Sequence, residues 1–448
     1  MSQIRFWPRT LAVCIAALPG AMFLVASPRA CGAAAARPAT VFVGASVLDP
    51  SGGQFEPNQT IVVQGDRISA VGPASSVAVP PDAHIVRIDG RYVIPGLINS
   101  HVHLATLAVP RAARAYLRRE LYSGVTMVRD MAGDVRLLAE LKREAALDEI
   151  IAPDIYYAAL MAGESFFVDP RTHDSSRGLE PGTAPWMRAV SATTDVRQVV
   201  AEARGTGATG IKLYADLPGT LVGAITAEAH RQHLLVWAHA AVFPARPSEV
   251  VAASVDVVSH ADFLAFESVT PFPANFRSAV SSDLRPWRLT PAVESVLDAM
   301  KERGTVLDAT VDVGYRNPLP QWPSTLAPLL AHEAYRRGIS ISAGTDDDAD
   351  WTDPDSALLD EIERLVHDVG MSTTDALRSA TIIGARTIGE QDSAGVLAAG
   401  RVANFVVLAA NPLSDIHNLR KIVLVEKHGI AHPRSAYRPV TASEMKPG

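Results

Sequence analysis

Apolar and polar positions along the chain fall into two regimes. Between Thr40 and Val93, short runs of β-branched and aromatic residues (Thr40–Leu48, Gln59–Gln64, Arg67–Val71) are separated by turn-forming Asp49-Pro50, Ser51-Gly52-Gly53 and Gly65-Asp66. Strand-like material continues over Ala83–Val93 around Asp89-Gly90. That rhythm predicts a small β unit. From Ile94 the rhythm changes, and short apolar runs alternate with longer amphipathic ones. Eight runs read as strands: Gly96–His103, Val125–Asp130, Ile155–Leu160, Gly210–Tyr214, Leu234–His239, Val255–His260, Thr305–Val311 and Ile339–Asp346. Helical periodicity fills Arg111–Tyr122, Val135–Ala146, Thr220–His233 and Thr290–Arg303. Eight strands alternating with helices over ~250 residues predict an α/β fold, a (β/α)8 TIM barrel. The stretches Phe166–Val190 and Ala241–Pro286 are too irregular for plain connections and are expected to be loops over the barrel mouth. After a helix over Thr373–Ile388, strands are expected again at Gly395–Leu408 and Lys421–Lys427. Pairing these with the N-terminal strands gives a small β-sandwich domain built from both chain ends, residues 37–93 and 395–448, beside a barrel of residues 94–394.

Composition narrows the classes. The chain has 448 residues, 48% hydrophobic and 20% charged, which permits a large core. Its net charge of −7 and the lack of a basic cluster interleaved with aromatics argue against a nucleic-acid partner. Residues 1–36 read as a secretory signal peptide: Arg5 and Arg9, then the apolar run Leu11–Ala26, then small residues. That run is shorter than a membrane span, so a periplasmic or secreted protein without stable membrane insertion is expected, the alternatives being a retained membrane anchor or lipidation at Cys31. Cys14 lies inside the signal and Cys31 at the cleavage zone, so the mature domain has no internal disulfide. The partner expected is a small-molecule substrate, with a homo-oligomer left open.

The chemistry-bearing residues fall at the C-terminal ends of the expected strands, where barrel active sites are built. His101 and His103 are two apart in a strand and share a face. Lys212 lies on the fourth strand, and His239 ends the fifth, His260 the sixth and Asp346 the eighth. Four imidazoles, a carboxylate and a lysine suit a pair of first-row divalent ions. Each has a plainer reading. His239 and His260 alone could be core histidines, and Lys212 could pair with an acid such as Asp130. An ammonium buried in Gly210-Ile211-Lys212-Leu213-Tyr214 would tend to lose its proton. The neutral amine can then add CO2 and become an anionic carbamate able to bridge two metals. A calcium loop starting at Asp346 fails, because Trp351 and Ala357 occupy the positions that need Gly and Glu. Gly163-Glu164-Ser165-Phe166-Phe167 begins like a nucleophile elbow but lacks the closing Gly.

The pieces VIPGLINSHVHL (Val93–Leu104), GATGIKLYAD (Gly207–Asp216), WAHA (Trp237–Ala240), VVSHAD (Val257–Asp262) and SAGTDD (Ser342–Asp347) occur in this order, followed by a long tail over Ala376–Ile416. Together they resemble the metal-dependent amidohydrolase superfamily, in its imidazolonepropionase-like and prolidase-like branch. The resemblance implies an alpha metal held by His101, His103 and Asp346, a beta metal held by His239 and His260, and carboxylated Lys212 between them. Tyr214 is similar to a tyrosine that contacts substrate in dipeptidase-like members. One departure stands out. Prolidase-like members carry Gly-Gly-His after the third strand, where this chain reads Leu160-Met161-Ala162-Gly163-Glu164-Ser165. The expected activity is hydrolysis of a small amide (dipeptide, N-acyl amino acid or cyclic amide) by a hydroxide shared between two divalent ions, zinc being the expected metal. Asp346 would be the proton carrier. The alternatives are lactone, ester or organophosphate hydrolysis at the same centre, or a non-catalytic periplasmic binding protein.

Overall fold

The computed structural model describes residues 38–49, 53–106, 109–346 and 350–446. The signal expected over residues 1–36, with Cys14 and Cys31, lies outside them. Five strands come first: β1 Thr40–Asp49, β2 Gln54–Gln64, β3 Arg67–Pro73, β4 His84–Arg87 and β5 Tyr92–Pro95. The barrel region follows with β6 Leu97–Val102, β7 Val125–Asp130, β8 Asp154–Ala162, β9 Thr183–Ala184, β10 Met187–Ala189, β11 Gly210–Leu213, β12 Leu235–His239, β13 Val257–Ser259, β14 Val306–Asp308 and β15 Ile341–Ser342. The last three are β16 Phe405–Leu408, β17 Ile422–Lys427 and β18 Ile430–Pro433.

The barrel strands β6, β7, β8, β11, β12, β13, β14 and β15 pair side by side, all parallel, at the eight places where apolar runs predict them. Most are buried along their whole length, as strands covered on both faces must be. The ring is joined between last and first strands by Ser100 N–H to the Ala343 carbonyl (3.0 Å) and Asp346 N–H to the His101 carbonyl (3.0 Å). Helices lie between the strands. Pro110–Tyr122, Pro247–Ala252 and Pro291–Arg303 begin with proline. Asp134, Asp195 and Ser356 cap others by accepting a backbone N–H.

The strands from both chain ends form one mixed eight-stranded sheet in the order β18-β17-β16-β5-β1-β2-β3, with β4 also on β1. Its own core joins Phe42, Ile61, Ile68 and Val93 to Phe405 and Val407, and the rings of Phe42 and Phe405 meet edge to face at 5.1 Å. β5 lies between β1 and β16, so the sheet needs both ends of the chain.

Two expectations need correction. Thr373–Ile388 is two helices, Thr373–Ser379 and Ile382–Thr387, because the Ala380 carbonyl leaves the helical ladder to accept Ile98 N–H of β6 at 2.7 Å. Gly395–Leu408 is a strand only from Phe405. Gly395 and Gly400 adopt φ of 82° and 86°, and the turn they make docks on β3 through Ile68 N–H to the Arg401 carbonyl at 2.9 Å.

Candidate metal centre

Strand ends bring the singled-out side chains to one mouth. His101 lies in β6 and His103 just beyond it, Lys212 in β11, His239 at the end of β12, and His260 and Asp346 one and four residues past β13 and β15. His103 Nε2 is 2.9 Å and His101 Nε2 3.2 Å from Asp346 Oδ1, and His260 Nδ1 is 3.7 Å from Asp346 Oδ2. Donor atoms of His101, His260 and Asp346 lie within 4.8 Å of one another. That trio mixes residues implied for the alpha and beta metals, with Asp346 between them. His239 and His260 rings are 4.8 Å apart. Lys212 pairs in register with Trp237, two residues before His239. Among the described residues, Lys212 Nζ and His239 Nδ1 are buried without a hydrogen-bond partner. The salt bridge to Asp130 does not form. Asp130 instead accepts Leu104 N–H (2.6 Å) and Ala132 N–H (3.0 Å), fixing the turn that carries His103.

Backbone strain gathers here. His260, Thr310, Asp346 and Ala132 have φ of 71°, 47°, 48° and 117°, conformations that non-glycine residues adopt only when their surroundings impose them. For His260 the constraint is its N–H, which donates to the Asp308 carbonyl at 3.0 Å.

The sequence reading missed Asp308. This buried carboxylate at the end of β14 meets His101 Nδ1 at 2.7 Å, accepts Ser259 Oγ at 2.9 Å and receives Arg129 Nη2 at 3.1 Å. It directs His101 Nε2 toward Asp346, as carboxylates behind ligating histidines do. Arg129 is itself buried, its guanidinium 4.9 Å from the Trp237 ring centroid.

Electrostatics follow burial. Desolvation lowers the Lys212 amine to about 7, against the opposing pull of Asp346 and Asp308. Desolvation also takes His260 down to about 3 and His239 well below the ordinary imidazole value, with Lys212 adding to both effects. Burial alone would raise Asp346, but His101 and His260 hold it well below the usual carboxylate range. Neutral imidazoles, an ionised carboxylate and an amine losing its proton are the states in which such groups ligate metals.

The sequence profile of the Amidohydrolase family matches residues 329–430, which contain Asp346. The chain is 26% identical over 406 residues to imidazolonepropionase of Micrococcus luteus, covering 82% of this chain and 90% of that protein. A shorter match, 33% identical over 83 residues, is to adenine deaminase of Rubrobacter xylanophilus, and the chain spans only 14% of that enzyme. A Xaa-Pro dipeptidase crystallised with bound methionine superposes with a TM-score of 0.69 at 20% identity, over 88% of this chain and 100% of that one. Over residues 329–430 the chain matches the Amidohydrolase family, and over most of its length it is similar to imidazolonepropionase.

Residues of the two long loops line the mouth. After β8 the chain makes a 3-10 turn, Glu164–Val168, and a short helix, Pro170–Ser175, then the β9–β10 hairpin. Ser165 of the elbow-like motif donates to Asp216 at 2.6 Å instead of facing the centre as a nucleophile. Arg171 lies on that short helix, six residues beyond the stretch that lacks Gly-Gly-His. Its Nε and Nη2 bind Asp169, and its guanidinium lies 5.8 Å from the Tyr214 ring centroid. Tyr214 is 4.2 Å from the His239 ring, and burial raises its phenol.

Proposed function

We propose that this protein is an amidohydrolase, a hydrolase of carbon–nitrogen bonds, and cleaves the amide of a small substrate (a dipeptide, an N-acyl amino acid or a cyclic amide) with two divalent ions. The donors are His101, His103, Lys212, His239, His260 and Asp346, and zinc is the metal we expect. What supports this most is the pair of buried nitrogens without partners, Lys212 Nζ and His239 Nδ1, in the same mouth as three imidazoles and a carboxylate. A folded protein rarely keeps such donors bare unless a cation or ordered water completes them. When bound, the ions supply Lewis acidity, making water a nucleophile near neutral pH and polarising the carbonyl.

The chain's residues do the rest. The Lys212 amine adds CO2, forming an N–C bond and releasing a proton, and the resulting carbamate is the anion that matches two cations. Asp346 Oδ1, already the acceptor shared by His101 and His103, takes the proton lost by water and delivers it to the leaving nitrogen. The Tyr214 hydroxyl, kept protonated by burial, offers a hydrogen bond to the substrate carbonyl. The basic start and apolar run within residues 1–36 support the reading that the enzyme is exported.

The test combines elemental analysis of the purified protein with a panel of dipeptides, N-acyl amino acids, lactones and phosphotriesters. Two metals per chain and turnover confined to amides are expected. Asp346→Asn should keep the fold and much of the metal yet lose about 10³-fold in kcat. A metal-free protein inert toward every amide, or full turnover in that variant, defeats this reading.

A further inference from the structure

The space beside the centre has two lobes that share Arg171, Tyr214, Val313, Asn317 and Asp346 as walls. The first, about 210 Å³, runs past His103 toward Thr172 and Ser175. The second, about 220 Å³, opens past His239 and His260 and is walled by rings. Phe263 and Phe276 lie parallel within 6° with centroids 6.4 Å apart, and Trp322 meets Phe263 edge to face at 5.3 Å. His239 stacks on Phe263 at 5.3 Å. Of the residues lining this lobe, Asp262 is the only carboxylate besides Asp346. A cavity of about 150 Å³ is enough to hold benzene, so the second lobe accommodates one ring with room to spare.

The lobe is held in shape by loops anchored away from the centre. Phe276 opens the helix Phe276–Val280, and Phe166 lies on the 3-10 turn after β8. Both segments are fastened to Asp216, two residues beyond Tyr214: Oδ1 accepts Phe276 N–H at 2.9 Å and Oδ2 accepts Ser165 Oγ at 2.6 Å. Asp216 has φ of 59°, a strained setting for a non-glycine residue. The rings thus form one cluster, with Tyr214 4.6 Å from Phe166 and 5.6 Å from Phe276. On the far wall, Trp322 Nε1 donates to the Ser282 carbonyl at 3.0 Å, tying the same loop a second time.

We propose that the second lobe is an aromatic-binding subsite, that the substrate carries an uncharged planar ring on one side of its scissile bond, and that Asp216 is the positioning residue that sets the subsite by fastening both loop segments to the end of the fourth barrel strand. The proposal rests on the amide-hydrolase reading only for what lies between the lobes.

The test needs no turnover. Calorimetry on the full-length protein compares 3-phenylpropanoate with propanoate, neither of which has an amide to cleave. Burying a phenyl ring predicts that the aromatic acid binds at least ~10-fold tighter. Phe276→Ala and Asp216→Ala should each reduce that ratio to about 3-fold or less, with the melting temperature little changed. Asp216→Asn, which keeps one acceptor, should fall between; Ser165→Ala reports the same latch if the Asp216 variants fold poorly. Equal affinities in the wild type, or a ratio intact in Phe276→Ala, overturn the subsite. A ratio lost in Phe276→Ala but intact in Asp216→Ala and Ser165→Ala overturns the latch. A protein that binds the ring but hydrolyses no amide would leave the subsite standing and remove only the proposed reaction.

Discussion

Lys212 shows what single residues do in this molecule. A buried amine without a hydrogen-bond partner is unfavourable for folding, and the proposed metal centre is what would offset that cost. Lys212→Met should make the metal-free protein more stable by about 1 kcal/mol or more while sharply lowering metal content. Thermal melts and elemental analysis check both halves, and a destabilised apoprotein would show that Lys212 has a structural partner. Asp308 behaves in the opposite way. Asp308→Asn strands Arg129 without its counter-charge and should lose ~3–5 kcal/mol in urea unfolding. Adding Arg129→Met should recover part of that loss, since both charges are then gone. Glu426 gives a pH signature. Burial pushes its carboxyl up to about 8 from 4.5, and Oε2 has no partner. Below about 4.5 folded and unfolded chains both hold the proton. Between there and 8 only the unfolded chain releases it, so stability falls as pH rises. The melting temperature of Glu426→Gln should therefore gain on the wild type from pH 5 to pH 8, and an unchanging gap would mean that Glu426 ionises as it does in water. The histidines, Lys212 and Asp346 were legible in the sequence because each is a polar residue at or near the end of an apolar run. Asp308 was not, since an acid closing Val-Leu-Asp looks like any strand exit. Its meaning comes from His101 and Arg129, 207 and 179 residues away.

Elements set the limits of that legibility. The eight barrel strands are short apolar runs bounded by amphipathic helices, and a buried parallel strand leaves that trace whatever its neighbours. The loops leave none. Phe276 and Ser165 matter only because Asp216 holds both, a contact that no local periodicity encodes. The helix break at Ala380 escaped for the same reason, its carbonyl being taken by a strand nearly 300 residues earlier. Gly163 gives the element-scale prediction. A Cβ there would lie 1.9 Å from the Asp216 carbonyl oxygen. Gly163→Ala should therefore force the end of β8 from the turn after β11, losing ~1–3 kcal/mol of stability by denaturant titration. A neutral change would mean that this junction yields freely.

At the scale of the whole molecule, the small sheet and the barrel are continuous. β5 runs through Gly96 into β6, Gly96 N–H donates to the Asn404 carbonyl at 2.9 Å, and Lys427 Nζ meets Asp154 of β8 at 3.0 Å. A chain ending at residue 394 would leave β5 without β16 and expose the Phe42 side of the sheet core. It should yield no cooperative melt by circular dichroism, whereas a sharp transition would show that the barrel stands alone. Among the described residues no helix is long and apolar enough to cross a membrane.

The hydrogen bonds from Thr345 and Asp346 back to the His101 carbonyl lie at the seam where the ring shuts. Contributions from residues 101 and 346 therefore coincide only in a chain that has finished folding. In a half-made barrel these two side chains stay apart, so a cation that needs both of them would be captured only after the ring has closed.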